Sequence, residues 1–135
     1  MKTTLAWLST HLETEAPLAA IVERLVMLGH DVEAVENPAR ALEPFTVAAV
    51  VSAERHPNAD RLLLCLVDTG GTRVQVVCGA ANARTGMRGV FAPPGTAIPR
   101  SGAVLQETVI RGAVSQGMLC SAWELGLGED RDGII

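Results

Sequence analysis

The first quarter of the chain and the remainder follow different patterns of apolar and polar residues. Before residue 37 the apolar residues recur at the spacing of a helix, which predicts two short helices. The stripes that predict them are Leu5, Leu8 and Leu12, followed by Leu18, Ile21, Val22, Leu25 and Leu28. Pro17 is placed for the first turn of the second helix and Gly29 for its end. The looser alternation over 30–36 predicts a strand.

From Phe45 onward the apolar residues come in short runs rich in β-branched side chains, which are typical of strands. The predicted strands cover 45–53, 62–69, 72–78, 87–92 and 104–111, with a short sixth over 115–119. Gly70 and Gly71 supply the positive φ that a tight turn between the second and third strands requires. Five or six short strands separated by glycine and proline favour a small closed barrel over a sandwich. The predicted fold class is mainly β with short helices (α+β).

The boundary between the two patterns is predicted at Asn37-Pro38, because proline disfavours helix in the residue before it. The chain is therefore interpreted as a helical lead-in over 1–39 and a barrel domain over 40–135. The segment from Ser121 to Glu124 has the form of a capping box. It predicts a short C-terminal helix that ends at Gly126.

Composition and charge narrow the possible functions. Of 135 residues, 48% are apolar and 19% are charged, which favours a packed core over disorder. The net charge is −4, but residues 40–118 hold eight arginines against five acids, so the acidity lies in the flanks. A weakly basic central segment is compatible with RNA. Neither a transmembrane run nor a secretory signal is predicted, and three widely separated cysteines indicate buried thiols in a reducing cytoplasm.

The segment from His56 to Leu62 is the most informative stretch, since its proline, asparagine and aspartate predict a defined loop between two strands. Its possible donors to phosphate or to a base edge are Arg55, His56, Asn58 and Arg61. Alternatively, Asn58 and Asp60 cap the turn and Asp60 neutralises Arg61, which composition alone favours.

Catalytic and metal sites are not predicted. The three histidines have no nucleophile or acid at a recognisable spacing, and Cys120 has no base near it in sequence. There is no tyrosine, and the few aromatic residues are Trp7, Phe45, Phe91 and Trp123. Because exposed aromatic rings usually stack the bases of single strands, any RNA contact is expected to be weak, salt-dependent and based on arginine.

Several motifs together resemble a known family, the tRNA-binding OB-fold domain, which occurs alone in dimers or appended to methionyl-tRNA synthetases. The motifs are His56–Leu62, Val67–Gly70, Gln75–Ala80 with Asn82, and Ala92–Gly95. Further segments are similar to the start of the bacterial phenylalanyl-tRNA synthetase β subunit. They are Leu5–Leu8, Leu25–Gly29 with Val32-Glu33, Ile110–Ser121 and Glu124–Leu127. The resemblance covers essentially the whole chain.

This resemblance implies a five-stranded OB-fold barrel preceded by a small incomplete helix–helix–strand domain, which is half of a split α/β domain. It implies an accessory tRNA-binding domain that supports aminoacylation of tRNA with phenylalanine, without catalytic residues or cofactors of its own. The ATP and magnesium of the parent ligase would bind elsewhere. The implied partners are tRNA, the remaining domains of the β chain and the α subunit, in the cytoplasm.

The resemblance also adds residues to the predicted tRNA-binding face, in segments that match the family's pattern: Asn82, Arg84, Arg88, Ser115 and Met118. Ser115 and Met118 have a structural alternative. Two other functions stay open at this point. The barrel could be a scaffold that packs against other synthetase domains with little RNA contact, or the chain could be a free-standing tRNA-binding protein.

Overall fold

The computed structural model describes residues 2–135, which form two compact units. The first unit extends to Asn37 and is called the helical unit; the second, Pro38–Ile135, is called the barrel unit. Within the described residues, no helix is long and apolar enough to span a membrane.

The helical unit contains α1 (Leu5–Ser9) and α2 (Leu18–Met27). α1 begins after Thr4, whose hydroxyl oxygen accepts a hydrogen bond from the Trp7 backbone N–H at 3.1 Å. α2 ends just before Gly29, whose φ of +90° is the left-handed conformation that terminates many helices. Both predicted helices are confirmed.

The strand predicted over 30–36 is wrong, since the structure has neither helix nor strand there. An alternating pattern forms a strand only where a second strand accepts and donates its backbone hydrogen bonds, and residues 2–37 contain no such partner. Among those residues, Ile21 alone is buried. The apolar stripe of α2 therefore remains largely at the surface.

The barrel unit begins with a short 3₁₀-helix, Pro38–Leu42, and continues with seven strands over the described residues. They are β1 (Thr46–His56), β2 (Ala59–Asp68), β3 (Arg73–Cys78), β4 (Arg88–Ala92), β5 (Thr108–Ile110), β6 (Ala113–Ser115) and β7 (Met118–Cys120). Five strands form an antiparallel sheet in the order β3-β2-β1-β4-β7, and β5 and β6 form a separate hairpin.

Hydrogen bonds between β3 and residues 114–116 bring the two ends of the five-stranded sheet together. The Gln116 N–H donates to the Gln75 carbonyl at 2.8 Å, and the Gln75 side-chain amide donates to the Val114 carbonyl at 2.8 Å. The Ser115 hydroxyl oxygen accepts from the Val77 N–H at 3.0 Å. The result is a partly open five-stranded barrel, as in the OB fold. The predicted fold class is confirmed.

The core of the barrel unit consists of two clusters of buried side chains. The larger contains Ala48, Val50, Cys65, Val67, Val76, Cys78, Ala83, Phe91, Leu119 and Ile134, and the smaller contains Ala92, Ile98, Cys120 and Leu125. Alternate residues of β1 and β2 enter the larger cluster, as the period of two along a strand requires. Burial of each large apolar side chain stabilises the fold by about 1.5–3 kcal/mol.

The C-terminal segment of the chain completes this core. Ile134 is buried, and a Cβ at Gly89 would lie 2.6 Å from its Cγ2 atom, so only glycine fits there without rearrangement. The Val90 N–H donates to the Ile135 carbonyl at 2.9 Å, and the Ile135 N–H donates to the Cys120 carbonyl at 3.1 Å. Ile135 therefore bridges the backbones of β4 and β7.

The predicted strand over 104–111 is too long. β5 covers Thr108–Ile110 alone, and Val104 only forms an isolated bridge with Ala97. The loop from Pro93 to Glu107 turns back on itself, and the Gly95 N–H donates to the Leu105 carbonyl at 2.7 Å. The apolar run therefore bends instead of continuing as one strand.

The helix predicted after Ser121 is also wrong, because residues 122–126 form turns. The capping box itself is present, with the Ser121 N–H donating to Glu124 Oε2 at 2.6 Å. Gly126 then adopts a φ of +71°, and the Leu127 N–H donates back to the Ala122 carbonyl at 2.9 Å. This closing bond ends the segment before a helix can continue.

Candidate nucleic-acid interface

Two hairpin tips meet at one end of the barrel unit. The β1–β2 hairpin turns through Pro57 and Asn58, and His56 pairs with Ala59. The Asn58 N–H donates to His56 Nδ1 at 3.0 Å, and His56 Nε2 lies 3.1 Å from the Ile110 carbonyl oxygen at the end of β5. Because Nδ1 accepts, Nε2 carries the proton and donates, which assigns the neutral Nε2–H tautomer. His56 is only 4% exposed.

A second contact joins the same two tips. The Asn58 side-chain amide donates to the Arg111 carbonyl at 3.1 Å. Together, the side chains of His56 and Asn58 and the carbonyls of Ile110 and Arg111 are called the hairpin latch below. Both ring nitrogens of His56 and the Nδ2 group of Asn58 are therefore used in contacts within the chain.

The four predicted arginines differ from His56 and Asn58 in that their side chains are not used in polar contacts within the described chain. Arg55 and Arg61 lie on either side of the β1–β2 tip, and Arg84 and Arg88 lie in and after the loop before β4. All four are exposed. Within residues 2–135, none of them forms an ion pair or donates a side-chain hydrogen bond. Their guanidinium groups are available to a ligand.

Three of the four arginines follow one another along β1. Arg88 pairs across the sheet with Ala49. The loop of residues 84–87 contacts the next part of β1, where the Thr85 hydroxyl oxygen accepts from the Ala53 N–H at 3.0 Å. Arg55 comes two residues later in β1 itself. The fold thus brings the backbones of these three arginines close to β1 at different points along its length.

Asn82 has a structural contact in place of a free amide. Its Nδ2 donates to the Ile134 carbonyl and its Oδ1 accepts from the Ile134 N–H, each at 2.9 Å. A Cβ at Gly133 would lie 2.8 Å from Nδ2 of Asn82. The side chain therefore holds the C-terminal segment against the barrel.

Ser115 and Met118 are also engaged inside the barrel unit. Ser115 is 4% exposed, and its hydroxyl accepts from Val77 and donates to the Gly117 carbonyl at 3.0 Å. Met118 packs against the smaller core cluster. Both side chains have the structural environment that was the alternative to RNA contact.

No aromatic ring is left free in the barrel unit as described. Phe91 is buried and Phe45 packs against the smaller core cluster. Trp123 lies beneath two arginines, with the Arg131 guanidinium carbon 4.3 Å and that of Arg100 5.7 Å from the ring centroid. These contacts are cation–π interactions, and nothing in the spacing of the three residues would have predicted them.

The three cysteines are free thiols buried in the core. Interaction with the neighbouring Cys65 thiol lowers the pKa of Cys78 below its ordinary value, and the same interaction together with burial raises the pKa of Cys65. Burial raises the pKa of Cys120 to about 12. Within residues 2–135, no group of three or more histidine, cysteine or acidic side chains is arranged to bind a metal ion.

Comparison with known proteins places these features in context. The family model of the tRNA-binding domain matches residues 45–135. Over its whole length, the chain is similar to the N-terminal part of the phenylalanine–tRNA ligase beta subunits of Bradyrhizobium diazoefficiens (57% identical), Rhodospirillum rubrum (56%) and Novosphingobium aromaticivorans (49%). All of this chain is covered but only 17% of each relative, so the chain spans about one sixth of their length.

Proposed function

The chain belongs to the tRNA-binding domain family, and on that premise we propose that it is an accessory domain of a phenylalanine–tRNA ligase beta subunit. In this role it supports the aminoacylation of tRNA with phenylalanine by helping to hold the tRNA. It contributes no catalytic residue, and the ATP and magnesium of the reaction bind in parts of the ligase outside this chain.

The observation that carries the proposal is the set of exposed arginines beside β1 that form no ion pair within residues 2–135. RNA binding depends largely on neutralising phosphates, and arginine binds a phosphate through two parallel hydrogen bonds. Arg55, Arg84 and Arg88 follow this strand, and Arg61 lies at its tip. Exposed arginines without acidic partners are suited to a polyanion.

Whether aromatic rings are free to stack on bases determines the kind of contact that the domain makes with tRNA. Each base stacked on an aromatic side chain contributes roughly 1–3 kcal/mol to single-strand binding. The rings of Phe45, Phe91 and Trp123 in the barrel unit are all engaged within the chain, and the exposed ring of Trp7 lies in the helical unit, outside the residues that the family model matches. The contact with tRNA is therefore weak, depends on salt and involves the phosphate backbone.

A titration of fluorescein-labelled tRNA at about 50 mM and about 200 mM salt tests this, because the salt dependence counts the phosphate contacts. We expect the double variant Arg84→Glu/Arg88→Glu to lower the affinity at least about tenfold and to flatten the salt dependence. The matched control is Arg73→Glu/Arg100→Glu, which changes the net charge equally at two arginines that already have acidic partners. Equal affinities of the two double variants would contradict the proposal.

The remaining partners follow from the same assignment. The beta chain's other domains and an α subunit surround this domain in the ligase, and the complex acts in the cytoplasm.

A scaffold function is the second candidate, and the exposed apolar side chains of the barrel unit favour it. Val47 is 70% and Val109 67% exposed, although both lie in strands. Such side chains suit packing against another protein domain. Nanomolar binding of tRNA by the chain at about 0.15 M salt would exclude this candidate, whereas no detectable binding at low salt would support it.

A further inference from the structure

Arg111 has a backbone conformation that is unfavourable for its side chain. Its φ is +53°, and no other residue besides glycine has a positive φ within residues 2–135. With Gly112, at φ +92°, it forms the two-residue turn between β5 and β6, flanked by the pair Ile110 and Ala113. Positive φ at both positions defines a type I′ turn, in which Asn-Gly is the favoured sequence. Arginine at the first position costs free energy through its Cβ.

The hairpin latch fixes this turn beside the β1–β2 tip. The Asn58 amide holds the Arg111 carbonyl at 3.1 Å, and His56 holds the carbonyl of the residue before it. A Cβ at Gly112 would lie 3.6 Å from the same Asn58 amide. Arg55 directly precedes His56, and Arg61 lies three residues after Asn58. Three arginines from two hairpins therefore lie at the latch or within three residues of it along the chain.

The acidic residues at these hairpin tips do not form ion pairs with the arginines. Glu54 is adjacent to Arg55 in β1, and because successive side chains of a strand point to opposite faces, the two lie on different faces of the sheet. Asp60 is adjacent to Arg61. Within the described chain, neither acid lies within ion-pair distance of an arginine. Arg111 itself is exposed and also has no acidic partner there.

We propose that Arg111, together with Arg55 and Arg61, forms a phosphate-binding cluster at the latched hairpin tips. The latch holds the backbone of Arg111 against the hairpin tip that carries the other two arginines, so that a folded RNA can place its phosphates at all three charges. This inference rests on the proposed function, since it adds a residue on a second hairpin to the exposed arginines beside β1.

The variant Arg111→Asn tests the cluster because its two expected effects have opposite signs. It creates the Asn-Gly sequence that the turn favours, so the midpoint of thermal unfolding rises by a few degrees. It removes one charge, so the affinity for labelled tRNA falls severalfold and the salt slope falls by about one. A residue with only a structural role in the turn would change the midpoint alone.

Two further variants serve as controls. Arg111→Lys retains the charge and should recover most of the affinity. Arg73→Asn removes an arginine near the β2–β3 turn, where Asp68 lies 3.8 Å away, and should leave the affinity within about twofold of the unchanged chain. Both are measured by the same titration and thermal scan.

The outcomes separate this inference from the proposed function. If Arg111→Asn binds tRNA as tightly as the unchanged chain while Arg84→Glu/Arg88→Glu binds weakly, the proposed arginine cluster is wrong and the proposed tRNA-binding function stands. If the unchanged chain does not bind tRNA at about 50 mM salt, both are overturned.

Discussion

The helical unit and the barrel unit have similarly apolar sequences but very different interiors. In the helical unit one residue, Ile21, is buried among residues 2–37, and Met27 and Leu28 are about 70% exposed. In the barrel unit two clusters bury side chains from five strands, the connecting loops and the C-terminal segment. The difference shows that an apolar stripe determines a helix locally, whereas a core needs several elements that face one another.

The units also differ in how they use polar side chains. In the barrel unit, Asn58, Asn82 and Ser115 each join segments at least 38 residues apart in sequence. Among residues 2–37, the one side-chain hydrogen bond of comparable range joins the exposed Lys2 and Glu36, at 2.9 Å. Such an exposed pair contributes about 0–1 kcal/mol. Matched substitutions in the two units should therefore have unequal effects.

The largest effect is expected from Gly117→Ala. A Cβ at Gly117, whose φ is +127°, would lie 2.5 Å from the Ala92 carbonyl oxygen and 2.6 Å from Phe91 Cε2. This backbone cannot move without opening the barrel, so the free energy of unfolding should fall by about 4 kcal/mol or more. The counterpart Gly29→Ala, also at positive φ but in open space within the described residues, should cost only about 1 kcal/mol. Urea unfolding followed by circular dichroism measures both; similar costs would contradict the clash.

The next largest effect is expected from Ile134→Ala, compared with Ile21→Ala. The two isoleucines are almost equally buried, at 7% and 8% exposure. Ile134 fills the larger barrel cluster, so its truncation should cost about 2–5 kcal/mol through lost burial and a cavity. Ile21 has few buried neighbours in its unit, so its truncation should cost less than half as much. If the two variants unfold at the same urea concentration, burial alone decides the cost and the comparison of the units fails.

A smaller effect is expected from Asn82→Ala. This variant leaves the N–H and the carbonyl of Ile134 without their side-chain partners, which should cost about 1–3 kcal/mol. Asn37→Ala, at an exposed position of the helical unit, should stay within about 0.5 kcal/mol of the unchanged chain. Amide hydrogen exchange at Ile134 provides a local measurement, and unchanged protection in Asn82→Ala would contradict the role assigned to the side chain.

The smallest effect concerns pH, and only the barrel unit contains cysteine. Burial raises the pKa of Cys120 from its ordinary value of 9.0 to about 12. The folded chain therefore keeps a proton that the unfolded chain releases, and this contribution to stability is lost as the pH rises from 9.0 towards 12. The loss is at most about 1.4 kcal/mol per pH unit. The urea midpoint should fall less steeply between pH 9 and pH 11 in Cys120→Ala; parallel curves would show that another group is responsible.

Local patterns were sufficient for much of the fold. The apolar stripe with Pro17 and Gly29 predicted α2, and the β-branched runs predicted β1 to β4 to within three residues. The errors occurred where contacts with distant parts of the chain determine the local structure. Residues 30–36 alternate but have no strand to pair with, and residues 104–111 are bent by the hydrogen bond between Gly95 and Leu105.

The candidate site was predictable in its arginines but not in its polar residues. Exposure of a charged side chain follows from its chemistry, so Arg55 and Arg84 could be proposed from the sequence alone. The partners of His56 and Asn58 lie more than 50 residues away, and no local pattern indicates that pairing. Arg111 was missed because Arg-Gly does not resemble the Asn-Gly sequence typical of its turn.

The position of Ile134 and Ile135 in the barrel has a consequence for synthesis of the protein. The ribosome releases the chain from its N-terminal end, so β1 to β7 leave the exit tunnel before the residues that complete their core. Until then Gly89 faces an unfilled space and the backbones of β4 and β7 lack their bridge. The nascent barrel is therefore expected to stay incompletely packed, and to become resistant to protease only after residue 135 has emerged.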